Sequence, residues 1–302
     1  MIIFYGRGDD TPLARAVEAA ADLGVEHLVV DQRRAADADL WVEVGAGGVQ
    51  GRLVVAGAEV DLAAVQGIYA RPLELPAAAG DSLDARRARV FASGFLEWLD
   101  LAPGRVVNPP AAMHSNASKP YQAQLVARAG FPVPATLVTD DPEEVVAFRR
   151  EHPRVVYKSI SGVRSIVREL DDTAARRLDR IRALPTQFQA YVPGTDVRVH
   201  VVGDRVFATE VASQALDYRY AGRDGLSARL AAHDLPDGVA ERCLALAAAL
   251  GLRLCGIDLR RRPDGEHVCF EVNPMPAYSY FEAEAGQPIS VALVEFLAGK
   301  AA

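Results

Sequence analysis

Lysine is nearly absent from this chain. Of 33 basic residues in 302, three are lysine (Lys119, Lys158 and Lys300) and the rest are arginine. Where a guanidinium serves almost everywhere, a retained ammonium marks a place that wants a compact point charge on a slim stem, as when a cation must reach a phosphate in a crowded pocket. Lys300 lies in the tail and is set aside as incidental. Asparagine is as scarce, at Asn108, Asn116 and Asn273. The three cysteines, Cys243, Cys255 and Cys269, sit in apolar runs without metal-ligand spacing, which argues against a zinc site and reads as reduced core. No apolar run is long enough to span a membrane, and that of the opening MIIFYGRGDDT is too short for a signal peptide, so a cytoplasmic protein without a membrane partner is expected. A net charge of −7 disfavours a nucleic-acid partner, although a local basic groove can still hold phosphates. No internal repeat or low-complexity segment stands out.

What is present centres on CGIDLRRRPDGEHVCFEVN, running from Cys255 to Asn273. It reads as a β-hairpin turning at Pro263, Asp264 and Gly265. The two-residue strand period puts Glu271 and Asn273 on one face and Phe270 and Val272 on the other. A four-residue loop, 263–266, sets Asp258 directly opposite Glu271. Like charges facing each other destabilise a ladder, so this register asks for a cation between them. Carboxylate and amide oxygens without His or Cys suit Mg²⁺, which completes its shell with water and phosphate. A solvated acidic face is the alternative.

The chain is long enough for two or three packed lobes. IIFYG, a helix capped by Thr11 and led by Pro12, and HLVVD make a β-α-β opening, hence a small α/β lobe. Gly6-Arg7-Gly8 lacks the third glycine of a dinucleotide loop. A hairpin follows, turning at Ala56 and Gly57. Tyr69 and Arg71 share a strand face and read as ligand contacts or a structural cap. A helix runs over about 82–101, and prolines and glycine break the pattern over 102–110. Lys119 then opens a helix with caps available at Ser115, Asn116 and Ser118, where the dipole already favours an anion. Lys158 ends the strand RVVYK. The loop after it, with Ser159, Ser161, Gly162, Arg164 and Ser165, can bring N–H groups to phosphate oxygens or be a plain hairpin tip. FQAYV is a strand stopped by Pro193 and Gly194, DVRVHVV places Asp196 and Arg198 on one face, and AERCLALAAALGL is a packed helix.

In this order the features resemble the ATP-grasp superfamily. The match rests on Lys119, Lys158 before a small-residue loop, the strand end Gln189-Ala190-Tyr191-Val192, Asp196-x-Arg198, Asp258, and Glu271-x-Asn273, and it covers about residues 108–302. Within the superfamily the chain looks most like RimK-type peptide ligases, and among those the graspetide (microviridin-type) ligases that cross-link peptide side chains. PATLVTDDPEEVVAF, QFQAYVPGTDVRVHVVGDRVFATEV and GRLVVAGAEVDLAAVQGIYARP carry that flavour. The chain departs from them at Asp217-Tyr218-Arg219, where they have Asp-Trp-Arg, and after Pro274, where Met275 to Tyr280 replace a stretch tending to Gly-Gln-Trp.

The resemblance implies the α/β (α+β) ATP-grasp fold, with an N-terminal pre-ATP-grasp α/β domain at 1–107. A central subdomain would span 108–190, and a C-terminal subdomain with the metal site 191–302. It implies ATP with two Mg²⁺ ions held by Asp258, Glu271 and Asn273. Lys119, Lys158, Ser161 and Gly162 would meet the phosphates, Gln189, Ala190, Tyr191 and Val192 the adenine, and Asp196 the ribose. Arg198 and Arg219 would steady the transferred phosphate or acyl phosphate. The expected activity is an ATP-dependent carboxylate–amine or carboxylate–hydroxyl ligase acting on a peptide or amino acid, with a short precursor peptide as one form of substrate. A free-standing RimK-type ligase and a non-catalytic ATP-binding scaffold are the alternatives, and a homodimer is left open. Tyr278, Tyr280 and Phe281 read as an acceptor-pocket lining or a buried cluster, Tyr218 as a substrate contact, and His114, His200 and His267 as structural or exposed.

Overall fold

The computed structural model describes residues 1–46, 48–73, 80–160, 167–213 and 227–300. Among these the chain forms four sheets. The first part contains β1 (Ile2–Gly6), α1 (Thr11–Asp22), β2 (His27–Asp31), β3 (Ala38–Gly45), β4 (Gly48–Val55), β5 (Ala58–Asp61), β6 (Gly67–Arg71), α2 (Leu83–Leu99) and β7 (Arg105–Val107). The strands β2-β1-β6-β7 are parallel, and β1 and β6 are buried throughout, as continuous apolar runs in a parallel sheet should be. The helix α1 is capped by Asp10, which accepts the Leu13 N–H at 3.2 Å, rather than by Thr11, which is already helical. β3, β4 and β5 form an antiparallel meander. Its second turn has Ala56 and Gly57 at φ 51° and 83°, the left-handed pair that a two-residue hairpin needs. Beneath it α2 buries Phe91, Phe95 and Trp98 with Tyr5 of β1.

Next come α3 (Pro110–Met113), α4 (Lys119–Arg128), β8 (Thr136–Thr139), α5 (Pro142–Glu151), β9 (Val155–Ser159), β10 (Arg168–Glu169), α6 (Asp172–Ala175) and β11 (Thr186–Ala190). The strands make the antiparallel sheet β10-β9-β11-β8, packed on α5 through Val145, Val155, Leu170 and Phe188.

The last part holds β12 (Thr195–Val202), β13 (Arg205–Ser213), β14 (Ala228–His233), α7 (Asp237–Ala249), β15 (Leu254–Arg261), β16 (His267–Asn273), α8 (Tyr278–Ala285) and α9 (Ile289–Leu297). The sheet is antiparallel in the order β14-β13-β12-β15-β16, with β16 at the edge. One face takes α7, where Cys243, Leu246 and Ala247 meet Val197, Val199, Ile257 and Cys269. All three cysteines are buried and reduced, and burial raises their thiol pKa values, as core residues require. α9 joins this sheet to the first one, packing Leu293 and Leu297 among Ile2, Phe4, Val202 and Leu254. No helix among the described residues is long and apolar enough to cross a membrane.

Asn108, just beyond β7, ties three parts of the chain together. Its side-chain amide donates to the carbonyls of Leu254 and Pro274, both at 2.6 Å, and its Oδ1 accepts the N–H groups of Arg253 and Leu254 at 2.8 and 3.1 Å. The side chain is 2% exposed, so water cannot replace these partners. Asn108→Ala is expected to lower unfolding stability by about 3 kcal/mol, the cost of several stranded buried groups, as read by urea denaturation; a change within about 0.5 kcal/mol would show the hub to be dispensable.

Candidate functional site

The hairpin of β15 and β16 sets Asp258 opposite Glu271 and Gly256 opposite Asn273. It reaches that register by a different route from the expected four-residue loop. Strand pairing ends at Arg261 and His267, so the loop is five residues, 262–266, and a bulge at Phe270 makes up the difference. The bulge also takes Phe270 out of the inner face, leaving Cys269 and Val272 as the core contacts while Phe270 sits half-exposed under Arg260, 5.4 Å from ring centre to guanidinium.

The opposed carboxylates are each met by a cation from the protein. Lys119 Nζ lies 3.1 Å and Lys158 Nζ 3.8 Å from Glu271 Oε2, while Arg198 Nη1 donates to Asp258 Oδ1 at 2.5 Å. The like-charge repulsion therefore does not by itself demand a metal. Each cation arrives for a local reason. Lys119 is the first residue of α4, held by the Asn116 side chain at 3.0 Å; Asn116 thus receives the ammonium instead of capping the helix. Lys158 stands near the end of β9. Arg198 pairs with Asp258 in the β12–β15 register, and its guanidinium lies over Gly256, where any Cβ would overlap Nη2. Glycine leaves open the space that the arginine occupies.

Two further groups shape the site and carry no obvious signature in the sequence. Gln122, three residues after Lys119 and so on the same helix face, holds both backbone groups of Val272: its Nε2 donates to the carbonyl at 2.8 Å and its Oε1 accepts the N–H at 2.9 Å. This closes the sheet edge between Glu271 and Asn273. Arg260 binds Asp196 at 2.7 Å and donates to the Val192 carbonyl at 3.0 Å. Asp196 is thus tied down by an arginine, and the strand end 189–192 is linked to β15. In that strand end the Ala190 and Tyr191 amides donate to Ala135 and Arg154 carbonyls, the Gln189 side chain donates to Thr136 at 3.0 Å, and Arg154 covers the Tyr191 ring at 3.6 Å.

The remaining expected residues fall as follows. Asn273 accepts the Met275 N–H on Oδ1 at 2.9 Å, which leaves that oxygen a second lone pair. Ser161, Gly162, Arg164, Ser165, Asp217, Tyr218 and Arg219 lie outside the described residues. Tyr69 and Arg71 are buried; Arg71 bonds Asp10 at 2.5 Å and the Pro276 carbonyl at 3.1 Å, which makes the pair a structural cap. Tyr278 is buried with its hydroxyl donating to the Pro12 carbonyl at 2.6 Å, and Phe281 packs near Arg198 and His200, whereas Tyr280 is exposed. His114 is exposed, and His200 and His267 are buried.

Hard oxygen donors of Asp258, Glu271 and Asn273 on adjacent strands fit Mg²⁺ in donor type, needing phosphate and water to complete the shell. Among the described residues no group of three or more His, Cys, Asp or Glu side chains gathers for a metal. The charge balance points the same way. Lys119, Lys158 and Arg198 outweigh Asp258 and Glu271 by one positive charge, an environment suited to phosphate oxygens.

Residues 117–297 match the RimK-like ATP-grasp domain family. A probable alpha-L-glutamate ligase of Sodalis glossinidius (strain morsitans) is 30% identical over 225 residues, covering 70% of this chain and 74% of the relative. Among solved structures, the ATP-grasp ligase PsnB complexed with minimal precursor, Mg and ADP superposes with a TM-score of 0.79 at 29% identity, over 99% of this chain and 96% of that one. The macrocyclase MdnC from Microcystis aeruginosa MRC, bound with precursor peptide MdnA, gives 0.81 at 21% identity over 100% of both chains, a likeness of fold.

Two outcomes follow from this geometry. Gln122→Ala strands both backbone groups of Val272, at a cost of about 2 kcal/mol. Hydrogen exchange at the Val272 amide should therefore quicken about thirtyfold; unchanged exchange would mean that α4 does not hold the strand. The second outcome concerns pH. Burial first, then the neighbouring Arg198 charge, hold the His200 pKa well below the ordinary histidine value of about 6.5. The unfolded chain then takes the proton first, so stability should fall as pH drops below about 6.5, by up to ~1.4 kcal/mol per pH unit for this group. His267, lowered mainly by burial, adds in the same sense. Urea titrations between about pH 5 and 7 should show a steep slope that His200→Gln reduces; an equal slope in the variant would acquit His200.

Proposed function

The chain belongs to the RimK-like ATP-grasp family, and from that premise we propose that it is a ligase that uses ATP and Mg²⁺ to activate a peptide carboxylate and join it to an amine or hydroxyl of the same peptide. The observation that carries this reading is the meeting of Lys119 and Lys158, from α4 and β9, at the Glu271 carboxylate beside Asp258. The two internal lysines of an arginine-dominated chain are brought to one carboxylate. The precursor peptides in the PsnB and MdnC complexes favour a peptide as substrate. The same reading takes 1–107, 108–190 and 191–302 as three units around the site.

A carboxylate is a poor electrophile because oxide would have to leave. In the proposed reaction a carboxylate oxygen attacks the γ-phosphorus of ATP, the bond to ADP breaks, and an acyl phosphate results. An amine or hydroxyl then attacks the acyl carbon, phosphate leaves, and one proton is released. Neither step needs a covalent enzyme nucleophile, so the side chains serve by neutralising and aligning charge. Lys119 and Lys158 would hold phosphate oxygens. Arg198, fixed between Asp258 and Gly256, would face the transferring phosphoryl group together with Arg219. The strand end 189–192 would take the adenine and Asp196 the ribose; because Arg260 already holds Asp196, the ribose contact would share that carboxylate. Asp258, Glu271 and Asn273 would hold Mg²⁺, in the reading two ions. When bound, the metal supplies Lewis-acid neutralisation of phosphate charge.

The similarity to a probable alpha-L-glutamate ligase favours a second form, addition of a free amino acid to an acceptor. Mass spectrometry separates the two. Incubation of the protein with ATP, Mg²⁺, acidic test peptides and free glutamate should remove one water per bond if the link is internal, and add a glutamate residue, with loss of one water, in the second form. In either form Glu271→Gln should cost about a hundredfold in acceptor-dependent phosphate release, and Lys158→Ala should weaken ATP binding at least about tenfold. Full activity in Glu271→Gln, or no ATP binding by the wild type, would sink the proposal.

A further inference from the structure

At the opposite end of β12 from Asp196 lies a second basic feature that the ligase reading does not use. A cavity of about 290 Å³ is lined by Arg105, Asp204, Arg205, Arg253, Phe296 and Lys300, and a neighbouring one of about 480 Å³ shares Arg105, Arg253 and Phe296. Gly203 on its wall is five residues along the strand from Arg198, roughly 17 Å at strand rise, so this is a separate place from the Lys119–Glu271 cluster.

The cations here are poorly compensated. Arg205 pairs with Glu295 at 2.7 Å. Among the described residues the side chains of Arg105, Arg253 and Lys300 have no hydrogen-bonding or ion-pair partner, Arg105 merely resting over the Phe296 ring at 5.6 Å. The carboxyl end of α9 offers about half a negative charge and Asp204 one more. Around the first cavity four positive charges stand against Glu295, Asp204 and that half charge, and with Asp100 on the wall of the neighbouring cavity counted as well the feature keeps a net positive charge of about half a unit, in a chain whose net charge is −7. A helix-end contact alone would be served by one cation. Lys300, the third of the chain's three lysines, lines this cavity.

We propose that this cavity is a second anion site that takes a small phosphate-bearing molecule. Two guanidinium forks and an ammonium match the tetrahedral oxygens of phosphate. The volume lies near the lower end of small-molecule pockets, roughly 300 Å³, which suits a compact polyanion.

The test uses pyrophosphate without Mg²⁺, titrated by calorimetry into full-length protein carrying Lys119→Ala and Lys158→Ala, which removes the lysines of the first site and makes the result independent of the ligase reading. One mole of pyrophosphate should bind per mole of protein, and adding Arg105→Gln and Arg253→Gln should weaken it at least about tenfold. Both arginines are exposed, so circular dichroism should be unchanged; should that variant misfold, Lys300→Gln alone is expected to weaken binding about threefold. No binding to the background that carries Lys119→Ala and Lys158→Ala, or equal binding after these substitutions, overturns the proposal. So does a hexaglutamate peptide that binds more tightly than pyrophosphate, because the occupant would then be an acidic peptide.

Discussion

Two carboxylates facing each other across adjacent strands are the constraint on which the rest of the site depends. Left alone, Asp258 and Glu271 would push β15 and β16 apart. They are held because cations come to them from three separate elements, α4, β9 and β12. Each of those elements is then fixed by something less visible. Gln122 pins α4 to the sheet edge, the bulge at Phe270 sets the register, and Gly256 leaves room for the Arg198 guanidinium. The sheet's other face packs against α7 through a cluster of apolar side chains, so the charged face can be crowded while the hydrophobic core supplies the stability.

The segment that follows β16 is fixed just as firmly, but from the first sheet. Asn108 holds the Pro274 carbonyl, Arg71 the Pro276 carbonyl, and Tyr278 reaches the Pro12 carbonyl. Three bonds within five residues set the path of the chain immediately after Asn273. Arg71 is buried, a condition that disfavours its charge, yet Tyr69 and Asp10 keep it protonated. The N-terminal part is therefore a support for the site's downstream edge. Tyr280, exposed on the same helix, is left facing solvent beside Phe281.

Much of this was legible in the chain because rare residues mark special chemistry. The retained lysines at 119 and 158 do meet at Glu271, and all three asparagines hold specific backbone or charged partners. The β-α-β opening and the buried cysteines follow from simple periodicity. Other features were hidden for physical reasons. A five-residue loop with a bulge yields the same Asp258–Glu271 opposition as a four-residue loop without one, so the pairing can be right while the inward residue shifts from Phe270 to Cys269. Arg260 is one arginine among many, and nothing local distinguishes it from its neighbours Arg261 and Arg262, which bind other acids. Lys300 reads as tail in the sequence because the residues that line the cavity with it, 105, 205 and 253, are far away along the chain.

The charge count explains how such a site can be stable and still receptive. Both lysines share the Glu271 carboxylate, at 3.1 and 3.8 Å, so each buried charge has an opposite neighbour although the cluster keeps one positive charge in excess. These are the groups that, in the proposed reading, phosphate and metal would engage. Ligand arrival then exchanges partners instead of exposing charge: each lysine passes from a carboxylate to a phosphate oxygen while the carboxylate passes to a cation. Because every group has a partner before and after, the reorganisation that binding requires is small, and more of the interaction energy remains to favour the transferring phosphoryl group. Arg198 differs from the lysines here. Enclosed between Asp258, Gly256 and His200, it has no room to swing, and its charge is already aimed before any ligand arrives.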